Sequence, residues 1–142
     1  MTLRPWIALG VDLRFLATEE GGRSKPLASE PYLPLQYRPN WRLPGMSDRE
    51  QAGAPVLCFG TFPVGPGDAT AAVIVPLAMR EPFDSLSVGE RINMHEGLRV
   101  VGRAQVIWIE PTTTPVPDED AARFHAWARG RQVGHRPDGP AR

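Results

Sequence analysis

Proline and glycine interrupt this sequence too often for any long regular element: it carries 16 prolines and 14 glycines in 142 residues, where an average globular chain devotes about 12% to the two together. Proline removes a backbone donor and ends helices, and glycine weakens the interior of any element. A helical protein is therefore excluded, and short strands joined by turns are expected. The excess stays below the roughly 25–30% of low-complexity disorder, and 42% hydrophobic residues are enough for one core. The expectation is a single small, mostly β domain.

Apolar alternation locates its strands. Residues 7–17 place Leu9, Val11, Leu13 and Phe15 on one face and Gly10, Asp12 and Arg14 on the other, the period of a half-buried strand. Residues 32–39, studded with Pro34 and Pro39, predict an edge strand, and residues 40–54 predict a surface loop. The apolar runs 56–62 and 69–78 predict two more strands, 80–88 a connecting loop, and 89–95 with 98–109 a closing hairpin turned at Glu96-Gly97. Six strands with short turns would close as a barrel or pack as a sandwich, both of which limit exposed edges.

Beyond residue 110 the character changes. Residues 111–117, rich in threonine and proline, predict a stiff linker. Residues 118–130 predict one helix, because Asp118, Glu119 and Asp120 suit its N-terminal end, Phe124, Trp127 and Ala128 share a face, and Gly130 can end it. Residues 131–142 predict a disordered tail.

The charged residues exclude further classes. Sixteen basic residues balance sixteen acidic ones, so broad electrostatic grip on nucleic-acid phosphates is not expected. The single cysteine, Cys58, can make neither an intramolecular disulfide nor a Cys-based zinc site and lies in an apolar run, which predicts a buried, inert thiol in a reducing, cytoplasmic setting. Neither a secretory signal nor a membrane span is expected. No Gly-Lys-Ser/Thr phosphate loop and no Gly-x-Gly-x-x-Gly after a strand occurs, so no nucleotide and no cofactor are expected. His95, His125 and His135 are too scattered to predict a metal site. Glu19-Glu20 and Glu81 with Asp84 read as solvated turn residues rather than catalytic pairs. Trp41, Trp108 and Trp127, with Tyr32 and Tyr37, read as core or interface aromatics, although exposed beside arginines they could stack bases.

Five turns, taken in order, resemble the third, C-terminal β-barrel domain (domain III) of bacterial elongation factor Tu. The matching stretches are Glu20-Gly21-Gly22-Arg23-Ser24-Lys25-Pro26, Tyr32-Leu33-Pro34-Leu35-Gln36-Tyr37, Pro66-Gly67-Asp68, Pro76-Leu77-Ala78-Met79, and the closing run from His95-Glu96-Gly97-Leu98-Arg99 through Gly102 to Val106. They set against the family's E-G-G-R-x-x-P, Y-R-P-Q-F-Y-F, P-G-D, P-I-A-M and R-E-G-G-R-T-V-G-x-G-x-V. Departures fall at Ser24, Leu35, His95 and Leu98, mostly positions of polar contact.

That resemblance implies a six-stranded antiparallel closed barrel over residues 1–110, turn-shaping roles for Gly21, Gly22, Gly67, Asp68 and Gly102, and RNA or partner contacts at Arg23, Glu96, Gly97 and Arg99. In the family this barrel is non-catalytic. With the GTPase motifs missing and turn residues retained more than contact residues, the expectation is a stand-alone, non-enzymatic β-barrel binding module for a protein partner, with Phe124 and Trp127 capping the barrel or joining the interface. The alternative is a translation-related accessory domain that contacts tRNA or other RNA through Arg23, Arg38, Arg42, Arg99 and Arg103.

Overall fold

The computed structural model describes residues 3–27 and 36–133. They form seven strands, β1 (Arg4–Phe15), β2 (Asn40–Arg42), β3 (Ala52–Gly53), β4 (Val56–Phe59), β5 (Ala69–Ile74), β6 (Arg91–Glu96) and β7 (Arg99–Thr114), followed by one helix, α1 (Asp118–Gly130). All pairings are antiparallel, and the sheet order is β3-β2-β6-β7-β1-β5-β4.

The inner face of the sheet follows from alternation. Leu9, Val11, Leu13 and Phe15 of β1 point into the main core and meet Ile74, Ile92, Met94, Ala104 and Val106 there. The apolar runs of β4 and β5 do not alternate because both faces are covered. Val56, Phe59, Ala72 and Ile74 join the main core, whereas Leu57, Cys58, Ala71 and Val73 lie with Ala8 beneath Phe124 and Ala128 of α1.

Glycine permits the helix side to pack closely. A Cβ on Gly10 would fall 2.2 Å from Cε2 of Trp108, and one on Gly60 would fall 2.2 Å from the carbonyl oxygen of Ala128. Trp108 lies over β1 at Gly10 and stacks on Phe124 at 5.3 Å between centroids. The acidic first turn of α1 faces its positive end, and Asp120 accepts a 2.8 Å hydrogen bond from the Thr112 hydroxyl.

Several expected boundaries move. Residues 40–54 are not simply a loop, since they contain β2 and β3, and Trp41 at the centre of β2 is fully buried. Among the described residues the strands number seven, these two being added and none forming over 36–39. The strand expected over 69–78 stops at Ile74, and Val75 instead donates to Pro55 O; Pro76 has no N–H with which to continue a ladder. The strand expected over 56–62 stops at Phe59.

Residues 111–114 are strand, not linker: they pair with β1 from Arg4 to Ile7, which starts three residues earlier than the alternation suggested. For the strand expected over 32–39, residues 32–35 lie outside the described residues and 36–39 are not strand, although the carbonyls of Tyr37 and Pro39 accept from Val56 N at 2.9 Å and Ala54 N at 3.2 Å. Of the expected tail, Arg131 is held by Asp12 through two bonds of 2.6 and 2.8 Å; residues 134–142, with His135, lie outside the described residues.

Candidate functional site

Two of the expected contact residues hold each other. The turn after β1 carries Arg23, Glu96 ends β6 at the turn into β7, and their side chains form an ion pair. The Tyr37 hydroxyl donates to the same Glu96 oxygen at 2.6 Å. Burial, and next the hydrogen bond to Glu96, push the Tyr37 phenol far above its ordinary pKa. Tyr37 also packs on Phe59, so this cluster ties two turns to the core. Its polar groups are engaged internally.

The turn glycines serve two separate needs. Gly21, Gly67 and Gly97 have φ of 94°, 82° and 61°, which disfavours side chains. Gly22 instead makes room, since a Cβ there would lie 2.2 Å from the carbonyl oxygen of Leu16. Gly102 is tight against Met94 and Arg14, and the Asp68 carboxylate accepts from Gly65 N at 2.8 Å. Arg99 is exposed at the start of β7 and, among the described residues, makes no ion pair. The neighbouring Leu98 is 90% exposed at the tip of the hairpin.

His95 is almost completely buried, at 1% exposure. Its Nδ1 lies 3.3 Å from Gln51 Nε2, which also donates to Gly97 O, while its Nε2 has no partner among the described residues. Burial first, then the charge of Arg42, push the imidazole below its ordinary pKa of 6.5, against a weaker pull from the Leu98 backbone. His125 is shifted the same way, by burial and then Arg129. A folded-state histidine that resists its proton makes acid destabilising, because the unfolded chain binds protons that the fold refuses. Stability is thus expected to fall as the pH drops through about 6.5, levelling only below the lowered folded pKa. Urea midpoints at about pH 7.5 and 5.5 check this, and His95→Gln should flatten the difference.

Other candidates resolve individually. Burial raises the Cys58 thiol to about 12, so it stays protonated at neutral pH. Glu20 accepts from Ala17 N and pairs with Arg14 at 3.2 Å, and Asp84 pairs with Arg80 at 3.5 Å. No three His, Cys, Asp or Glu side chains come together among the described residues in a way that could hold a metal ion. Trp108 and Trp127 make edge contact at 5.2 Å beside α1.

An open groove at the head of β1 escaped sequence reasoning. It measures about 600 Å³ and is lined by Arg4, Pro5, Trp6, Met79, Arg80 and Glu81, with Asp84. The Trp6 indole is held by a 2.8 Å bond to Pro76 O and lies under the Arg80 guanidinium at 5.9 Å. Met79 is 62% exposed. The available signal was the alternation of β1, which continues backward through Trp6 once Pro5 is allowed inside a strand.

Among the described residues no helix is long and apolar enough to cross a membrane. No family model matches the chain.

Proposed function

We propose that this chain is a non-enzymatic binding module on a β-barrel scaffold and that its ligand is a protein. The observation that carries the reading is the Trp6 groove. Tryptophan, methionine and arginine are the residue types enriched where proteins dock, and charged groups such as Arg4 and Glu81 suit the rim of such a patch. A backbone-anchored indole offers apolar area without ordering cost.

The barrel reading has two supports. Val56 N donates to Tyr37 O and so links the first residue of β4, one end of the sheet, to the segment leading into β2, beside the other end strand β3, while Ala54 N to Pro39 O extends the β2–β3 pairing. Kinship with elongation factor Tu domain III draws support from positive φ at Gly21, Gly67 and Gly97, one in each of three turns that carry the resemblance. The RNA-contacting alternative is weakened because Arg23 is already paired with Glu96.

The test is affinity capture from native extract with the wild-type chain and with Met79→Glu, a change at an exposed side chain. One polypeptide retained in stoichiometric amount by the wild type should be reduced at least about tenfold by the variant, a change of about 1.4 kcal/mol. Equal retention by both chains, or no stoichiometric polypeptide on the wild type, overturns the reading.

A further inference from the structure

Strand register assembles a row of cations that no stretch of sequence contains. Arg42 of β2 stands opposite Asn93 of β6, Asn93 opposite Arg103 of β7, and Arg103 opposite Arg14 of β1. The strand neighbours Trp41, Ile92, Met94, Ala104, Leu13 and Phe15 are buried in the core, so alternation turns the row to the outer face. At about 4.8 Å per strand it spans roughly 14 Å.

The row is short of negative charge. Arg14 pairs with Glu20 at 3.2 Å, and Arg103 is exposed, with no ion pair among the described residues, but near enough to help lower the Glu20 carboxyl. Among the described residues Arg42 donates to backbone carbonyls, those of Asp48 and, at 3.4 Å, Glu50. Among the described residues the row's one ion pair is therefore Arg14–Glu20. Like charges directly opposite each other weaken an antiparallel pair, and an added anion would relieve the Arg14–Arg103 opposition. The adjacent row, Arg91, Gln105 and Asp12, supplies no free carboxylate, since Asp12 is clasped by Arg131.

We propose that this arginine row docks an acidic, extended segment of the protein partner, its carboxylates pairing with Arg103, Arg14 and Arg42. Guanidinium forks match carboxylates in two-bond geometry, and alternate side chains of an extended segment recur about every 6.8 Å on one face. Two or three acidic residues therefore reach across the row, and the Asn93 amide can meet the segment's backbone. A single strip of three arginines in a chain of zero net charge suits a short acidic segment better than a polynucleotide. Single-strand binders follow many phosphates along a basic groove and stack bases on aromatic rings, and this row has no aromatic residue. The inference rests on the protein-partner reading for its ligand class and uses a face separate from the Trp6 groove.

The experiment is a low-salt titration of the full, isotope-labelled chain with an oligoglutamate of about ten residues, followed by amide chemical shifts. An oligoribonucleotide of equal charge and a neutral oligoglutamine are run beside it. Saturable shifts centred on Arg14, Arg42, Asn93 and Arg103 are expected for oligoglutamate. Arg103→Gln, at a side chain with no ion pair to lose, should weaken binding about tenfold, while Met79→Glu leaves it unchanged. No saturable oligoglutamate binding, shifts centred elsewhere, undiminished affinity in Arg103→Gln, equal binding of oligoglutamine, or tighter binding of the oligoribonucleotide each overturns the proposal. Loss of the captured polypeptide with Met79→Glu but no oligoglutamate binding removes this inference alone. Oligoglutamate bound at the row with no captured polypeptide removes the groove reading alone.

Discussion

Trp41→Ala should lower the unfolding free energy by about 3–5 kcal/mol, measured from urea denaturation at neutral pH. Trp41 is fully buried, its indole N–H donates to Ala54 O at 3.0 Å, and its backbone pairs with Ala52 on one side and Met94 on the other. Truncation empties a large core volume and also leaves the Ala54 carbonyl without its side-chain donor. Neither effect is recovered easily, because Trp41's own strand and the neighbouring β3 are only three and two residues long and have little other burial holding them. A loss below about 1 kcal/mol would mean that Trp41 sits in a loop that can fold away from the core.

Phe124→Ala should cost about 3–5 kcal/mol by the same measurement, with a different signature. Phe124 is the largest side chain that α1 buries against β4 and β5, and it stacks on Trp108. A free helix of 13 residues is marginal in water, so α1 should melt when it undocks. Far-ultraviolet circular dichroism should lose its helical component at lower urea than the sheet unfolds, and amides of α1 should exchange faster than those of β1 and β7. Retention of both signals up to the global transition would show that the Arg131–Asp12 clasp and Trp127 hold the helix without Phe124.

The parts of the fold legible in the sequence are those with enough local pattern to declare themselves. The alternation of β1 identified its buried residues, the acidic start and Phe124 spacing identified α1, and glycine-bearing turns identified the reversals around Gly21, Gly67 and Gly97. β2 and β3 were illegible because elements of three and two residues are shorter than any period that could reveal them. Proline is a poor guide at Pro111, where composition predicts a linker but β7 runs on from Arg99 to Thr114.

The candidate site divides along the same line. Arg23 and Glu96 were identifiable as conspicuous turn residues, yet 73 positions separate them, and nothing local told that they would pair. Trp6 became a groove residue only when the segment around Met79 was brought beside it.

Alone, the sequence determined that the chain is β-rich, that its charge is balanced, that its turns fall at particular glycines and that one amphipathic helix follows the strands. These are consequences of backbone freedom and of short-range periodicity, which are read within a few residues. The tertiary structure decided which charges neutralise each other and which like charges stand side by side. Arg42, Arg103 and Arg14 are neighbours only through the register of four strands, and register is set by the fit of the whole buried face, not by any residue in the row.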